Sequence, residues 1–433
     1  MERIRSMPRI RPFKGIRYNP EFVDLGKVIC PPYDAISQTD VEEYYSKSPY
    51  NAVRLIQGKQ LPKDTKEDNR YTRARGSFRQ WLNEHVLIEE NAPALYYHEH
   101  TYTLHNNTFT RKGFISSVRI DEGERKSIRP HEYTQKGSKL DRLRLMNAVR
   151  TNFSSIFGIY SDPKKIIETQ IRTTLSSPQT EFETPDATHR LWVITDQNMI
   201  EKITKMMQYK KILIADGHHR YETAKTYRDR MRAVTGMKDG NQSFDNVLMY
   251  LTNKDEGINI LPAHRVIADS MGVGLVDLEY RVKEMFNMIP HDNRKSFLAA
   301  LAKHKRGAIG LFVKGIPRYY LLELSDSADI DRYISRHTLP LLKKLDVTIL
   351  HECVLEPILG ISPAMADKRI TYTSNSEQAL DLVSKENADI AFLLNPNTIE
   401  EIMDVAEAGL RMPQKSTCFY PNTPTGLVFH SLE

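Results

Sequence analysis

Cysteine is scarce: Cys30, Cys353 and Cys418 are the three in 433 residues, and no two are close enough to form a CxxC pair. A disulfide framework and a cysteine-rich zinc site are thereby excluded. No apolar run approaches the roughly 18 to 20 residues that span a bilayer, and the arginine-dotted start lacks the apolar stretch of a signal peptide. The expected setting is cytoplasmic, without a membrane partner. Neither sign of charge dominates. The formal net charge is +6, and the first stretch alone holds Arg3, Arg5, Arg9, Arg11, Lys14 and Arg17 against Glu2. The remainder is close to neutral, which argues against the broad basic face that holds nucleic acid and favours a small anionic ligand. Repeats and low-complexity tracts are absent as well. Oligomeric state is left open.

What is present is ordinary for a globular chain: 40% hydrophobic and 27% charged residues, enough to bury a sizeable core in two or three domains. Apolar or alternating runs predict strands at ALYYHEHTYTL (94–104), FTRKGFISSVRI (109–120), SIFGIY (155–160), LWVIT (191–195), KILIA (211–215) and NVLMYLTN (246–253). Further candidates are AIGLFV (308–313), RYYLLEL (318–324), ITYTS (370–374) and IAFLLN (390–395). Helical patterns cover 197–208, 217–234 and 398–408. Another helix is expected to start at Ser138, with Ser138 and Asp141 at capping-box spacing and Leu140, Leu143 and Val149 near one face. The fold class is α/β or α+β, multi-domain with mixed sheets. Polar stretches at 176–188 and 235–246 are candidate seams. The expected division is an N-terminal α/β region over 1–175, a phosphate-binding core over 176–270 and a C-terminal α/β region over 271–433.

The most informative stretch is KKILIADGHHRYETAKTYRDRM, residues 210–231. Ile212, Leu213, Ile214 and Ala215 read as a strand buried on both faces. Tyr221, Ala224, Tyr227, Met231 and Val234 then recur at helical spacing, with Gly236 as the stop. Gly217 lies at the junction, where unpaired backbone N–H groups and the positive helix end make an anion site. Arg220 can offer a bidentate fork to phosphate, and His218 and His219 can donate from ring nitrogens. A metal site built from Asp216, His218 and His219 is the competing reading, weakened because adjacent histidines point to different sides. A purely structural helix start is the third.

Other constellations carry chemistry of their own. RPHEYT places Arg129, His131 and Glu132 in a loop, with Glu132 suited to act as a general base and the cations to steady phosphate. Asp34 in PPYDAI is a second base candidate, although that sequence is also plain turn chemistry. His-Arg pairs at 189–190 and 264–265 precede apolar runs; if those strands neighbour 212–215, three pairs, His189–Arg190, His219–Arg220 and His264–Arg265, would converge on one polyphosphate. His98 and His100 fall on one face of a strand, read as exposed for want of a third metal ligand. GLRMPQKST (409–417) has Gln414 where a P-loop needs glycine, so it is not a Walker motif, yet Lys415 can still reach a phosphate and Phe419 and Tyr420 can line a pocket.

ADGHHRYETA (215–224) resembles the strand-to-helix motif of the ParB/sulfiredoxin superfamily, and most closely the Asp-Gly-His-His-Arg form of archaeal free-serine kinases. Sulfiredoxins carry cysteine where this chain has His218, so sulfinic acid reduction is not implied. Over the whole chain RPFKGIRYNP (11–20), VICPPYDAIS (28–37), RPHEYT (129–134), NFSSIFGIY (152–160), ADGHHRYETA and MPQKSTCFYPNTPTGLVF (412–429) resemble the DUF1015 family. Cys30 and Cys418 stand where that pattern has other residues, so neither is a nucleophile candidate. The resemblance implies a ParB/sulfiredoxin-like nucleotide-binding core and a serine-kinase-like activity. The resulting expectation is a nucleotide-dependent phosphotransferase using ATP, ADP or another nucleotide with Mg²⁺ and acting on a small hydroxyl metabolite, free L-serine favoured. Gly217, His218, His219 and Arg220 would bind phosphate, with Asp216, Glu132 and His218 as candidate catalytic groups. A ParB-like nucleotide switch and a metal-dependent phosphohydrolase are the alternatives.

Overall fold

The computed structural model describes residues 9–122, 126–134, 136–326, 328–385 and 387–433. Arg3 and Arg5 of the basic start lie outside them. The fold is mixed α/β in two compact units. Unit 1 comprises the described residues up to Pro130, Thr134–Ile258 and Pro421–Glu433; unit 2 comprises His131–Tyr133 and Asn259–Tyr420.

Among the described residues the large sheet of unit 1 has nine strands. In chain order its main elements are β1 (Leu95–Leu104), β2 (Asn107–Arg119), β3 (Ile128–Pro130), α1 (Lys136–Val149), β4 (Ile156–Tyr160) and β5 (Thr180–Thr184). They continue with β6 (Ala187–Ile194), α2 (Gln197–Met207), β7 (Ile212–Asp216), α3 (His218–Thr235) and β8 (Asn246–Asn253). The order across the sheet is β3-β7-β4-β8-β2-β1-β6-β5, with Ile10–Arg11 added beside β2. β7 runs parallel to β3 and antiparallel to β4. Ile212, Leu213, Ile214 and Ala215 are all buried, as a strand covered on both faces requires. The apolar side of α2, Met199, Ile200, Ile203 and Met207, joins Ile212, Ile214 and Leu251 in the main core, together with Tyr221 and Ala224 of α3. Each buried Ile, Leu or Met side chain among them contributes about 1.5–3 kcal/mol of transfer free energy before ordering entropy is counted. A second cluster of unit 1 gathers Phe78, Trp81, Phe153 and Phe429.

Two expectations change on the structure. α1 begins at Lys136, so Ser138 lies within it, and Asp141 accepts from Arg70 and Tyr71 at 2.5 and 2.7 Å. Its buried face is Arg142, Leu145 and Val149, while Leu140 is exposed. The polar stretch at 176–188 contains an edge hairpin: β5 pairs with β6, and Glu181 and Glu183 point to solvent. An edge strand with one wet face alternates polar residues and so imitates a linker. The stretch at 235–246 also stays inside unit 1, between α3 and β8. Contacts pass to the second unit after Ile258.

Unit 2 holds β9 (His264–Ile267), β10 (Phe286–His291), α4 (Arg294–Lys303), β11 (Ala308–Val313) and β12 (Tyr319–Leu324). It continues with β13 (Ile370–Thr373), α5 (Ser376–Ser384), β14 (Ile390–Leu393) and α6 (Ile399–Glu407). Its six-stranded sheet, ordered β10-β12-β11-β14-β9-β13, is antiparallel throughout. Phe297 and Leu301 of α4 and Ala379, Leu380 and Val383 of α5 cover Leu321, Ala391 and Leu393. Among the described residues no helix is long and apolar enough to cross a membrane.

Candidate functional site

The turn from β7 into α3 demands its glycine twice over. Gly217 has φ 90°, and a β-carbon there would lie 3.0 Å from Cζ of Arg220. As the N-cap of an 18-residue helix it brings no side-chain acceptor, and the first turn carries no acid. The positive end of the helix dipole is therefore not neutralised by a local carboxylate cap. The register between β7 and β4 slips between Ile214 and Asp216, a bulge that re-aims Asp216 at the strand end. His218 is buried and His219 half-buried.

Arg220 is where structure and sequence expectation part. Its guanidinium is buried, donates to Asp216 Oδ2 and to the carbonyl of Ser155, and lies 3.5 Å from Asp34 Oδ2. Burial works against its charge, but Asp34 and then Asp216 outweigh that, and the group is held above its ordinary pKa. Charge-assisted bonds to two carboxylates turn the guanidinium inward, so it serves as an anchor for acids and not as an open fork. Asp34 and Asp216 keep 19% and 35% of their side chains exposed, which leaves both carboxylates in touch with solvent. Behind Arg220 lies a cavity of about 50 Å³ lined in part by Tyr33, Arg142 and Thr223. Arg142 stacks over the Tyr33 ring at 4.0 Å, and burial raises the Tyr33 hydroxyl well above its usual range.

The metal reading of Asp216, His218 and His219 finds no support: among the described residues no group of three or more His, Cys, Asp or Glu is placed to hold an ion. Cys30 and Cys353 are buried free thiols raised by burial, Cys353 to about 12, which suits packing and not nucleophilic attack.

Arg129 sits on β3 in register with Leu213 of β7. His131, Glu132, Arg265 and Lys415 are brought together in unit 2. Glu132 Oε1 accepts from the Lys415 backbone N–H at 2.8 Å, Arg265 Nη2 donates to the Lys415 carbonyl at 3.1 Å, and His131 Nε2 lies 3.0 Å from Thr417 Oγ1. His264 Nδ1 accepts from the Leu394 N–H at 3.2 Å, and burial, then Arg265, lowers that imidazole to about 4. The three His-Arg pairs do not converge on adjacent strands: β6 lies between β1 and β5, and β9 belongs to the other sheet. His351 had no local signal. It lies in a π-helical turn, Leu350–Leu355, and its Nε2 accepts from Arg265 Nε at 3.3 Å.

The histidine face of β1 is buried, not exposed. His98, His100 and His189 cluster, with His98 Nε2 3.1 Å from His189 Nδ1 and His100 Nδ1 3.3 Å from Arg111 Nη2. Arg111 also donates to the carbonyls of Pro421 and Asn422 and lies over the Phe157 and Tyr250 rings.

A search of curated proteins finds no match. Among solved structures the chain is similar to a conserved hypothetical protein from Pyrococcus furiosus, 14% identical, covering 69% of this chain and 90% of that one with a TM-score of 0.35. It is similar to free serine kinase in complex with AMP at 13% identity, covering 68% and 83%, TM-score 0.34. C-terminally truncated SbnI from Staphylococcus aureus matches at 11%, covering 71% and 84%, TM-score 0.35. A family model described as "Protein of unknown function (DUF1015)" matches residues 10–348, well over half of the chain, and the chain belongs to that family.

Proposed function

We propose that unit 1 binds the phosphates of a nucleotide, ATP or ADP, at the start of α3 and that the protein transfers a phosphoryl group to a small hydroxyl metabolite. The observation that carries this is the pairing of a glycine-capped, acid-free helix start with two partly exposed carboxylates anchored on one buried arginine. Helix starts of this kind favour phosphate, and phosphoryl transfer rests on positioning and charge neutralisation. His219, in the first turn, faces the same end of the dipole as the phosphates would. Free L-serine is the favoured acceptor on the strength of the Asp-Gly-His-His-Arg resemblance.

Two carboxylates and no larger ligand set fit magnesium, which takes one or two acids and completes its shell with phosphate oxygens and water. One of Asp34 and Asp216 would hold it and leave the hydroxyl proton to the other; when bound it would neutralise phosphate charge. In the reaction the bond from the transferred phosphorus to its bridging oxygen breaks and one to the acceptor hydroxyl oxygen forms. A carboxylate of the Asp34–Asp216 pair takes the hydroxyl proton. Arg220 holds both acids in place.

Calorimetric titration with ATP, ADP, CTP and pyrophosphate in the presence of magnesium tests the reading, alongside assay of phosphoserine formation. His219→Glu puts an acid in the first turn, where it complements the dipole by about 0.3–1 kcal/mol and repels phosphate. The expected result is an unchanged or higher melting temperature with nucleotide affinity reduced about tenfold or more. Nucleotide binding at wild-type strength in that variant would sink the assignment.

A further inference from the structure

In unit 2 the turn at Gln414–Lys415 holds Lys415 at φ 54°. Left-handed backbone costs a residue with a β-carbon roughly 1–2 kcal/mol, and glycine or asparagine is its ordinary occupant. Most other positive-φ residues with a side chain sit at helix boundaries or in a hairpin turn, Lys165 at a helix start. His85 and Arg150 follow helix ends, and His105 and Asn106 make the turn between β1 and β2. Lys415 ends no helix, and Gly409 has already stopped the chain after α6.

The lysine is instead gripped by side chains from distant segments. Glu132 accepts from its N–H and Arg265 donates to its carbonyl, so one residue's backbone is held from both sides by opposite charges. The next two residues are held as well, Ser416 by Asn397 Nδ2 at 2.7 Å and Thr417 by His131. Arg265 is fully buried; it donates to the carbonyls of Ala263 and Lys415 and lies over the Tyr372 ring, and the Glu132 carboxylate supports its charge. Burial outweighs the support of Tyr372 and Glu132 and lowers the group to about 10. The strained backbone and the charged groups that hold it meet at one loop residue whose own side chain is exposed. Strain maintained by the surroundings marks functional positions.

We propose that the 413–417 turn is an anion-binding element of unit 2. Lys415 is the contact residue, Glu132 and Arg265 are positioning residues, and the ligand is a phosphate oxyanion of a nucleotide or of a phosphorylated metabolite. A lysine ammonium is a point charge that binds phosphate without demanding a planar partner, and fixing its backbone removes part of the ordering entropy of binding. The element is independent of the start of α3, and it stands whether or not unit 1 binds a nucleotide.

The test uses the full chain, calorimetric titration with pyrophosphate, O-phosphoserine and ATP, and thermal unfolding in parallel. Lys415→Gly relieves the backbone and should melt at or above the wild-type temperature while losing about tenfold in affinity for at least one probe. Lys415→Asn tolerates the same torsion and serves should the glycine variant misfold; Lys415→Arg keeps the charge and should retain binding. Glu132→Gln keeps an acceptor for the lysine N–H and should retain affinity that Glu132→Ala loses. Loss for phosphoserine alone identifies a metabolite phosphate, and loss for ATP a nucleotide. Wild-type affinity for all three probes in Lys415→Gly, or no binding of any probe by the wild-type protein, overturns the proposal. Loss in His219→Glu with none in Lys415→Gly overturns it too, while leaving the unit 1 reading intact.

Discussion

Acidification should unfold unit 1 through the imidazoles of β1 and β6. His98 is pushed well below its ordinary pKa by burial, then by His189 and Arg111; His100 by burial, then Arg111 and the other two imidazoles. Burial and Arg111 lower His189 to about 3. Each folded value lies below the unfolded one near 6.5, so below that pH the unfolded chain binds more protons and stability falls as pH drops toward the folded values. One such group contributes about 1.4 kcal/mol of lost stability per pH unit in that window. Between pH 7 and 5 the loss through His189 alone is about 2 kcal/mol, and His98 and His100 act in the same direction, against a total of about 5–15 kcal/mol for a typical domain. His430, lowered to about 4 by burial, adds to the same side. The two tryptophans, Trp81 and Trp192, both belong to unit 1, so urea titrations followed by tryptophan fluorescence report this unit. His189→Gln keeps a hydrogen-bonding group and should remove about 1.4 kcal/mol per pH unit from the slope between pH 6 and 4. Equal unfolding free energies at pH 7 and 5, or an unaltered slope in the variant, would refute the reasoning.

Arg220→Ala leaves Asp34 and Asp216 without their shared counter-charge and should cost about 3–5 kcal/mol in chemical denaturation. Undiminished stability in that variant would mean the acids were never anchored by it. Gly217→Ala combines a left-handed backbone with a β-carbon 3.0 Å from Arg220 Cζ and should cost about 1–3 kcal/mol, read as a lowered melting temperature.

Local patterns were legible where one principle governed the residue. The run Ile212 to Ala215 is apolar because its strand is covered on both faces, and Gly236 stops α3 in the left-handed conformation that glycine permits. Relations between distant residues were not legible. Asp34 reads as turn chemistry in PPYDAI, and only the fold sets it beside Arg220. Arg220 reads as a phosphate fork because nothing local announces that its donors go to Asp216 and Ser155. His98 and His100 read as a wet strand face, yet neutral imidazoles stack as aromatic rings, and His189 with Phe182 completes the packing at 4.9 Å. β5 read as part of a seam because two glutamates and two threonines surround Phe182.

The discontinuity of unit 1 governs the order in which the molecule can be completed. Phe429 lies fully buried among Phe78, Phe153 and Tyr18, and His430 pairs with Asn152. A chain emerging from its N-terminus therefore holds an open aromatic core through the synthesis of all of β9 to β14. Unit 2 has its strands in hand first, although it comes later in the chain. Closure of the earlier unit is a long-range event that waits for the residues after Tyr420, and the half-built core must be shielded from other chains until they arrive.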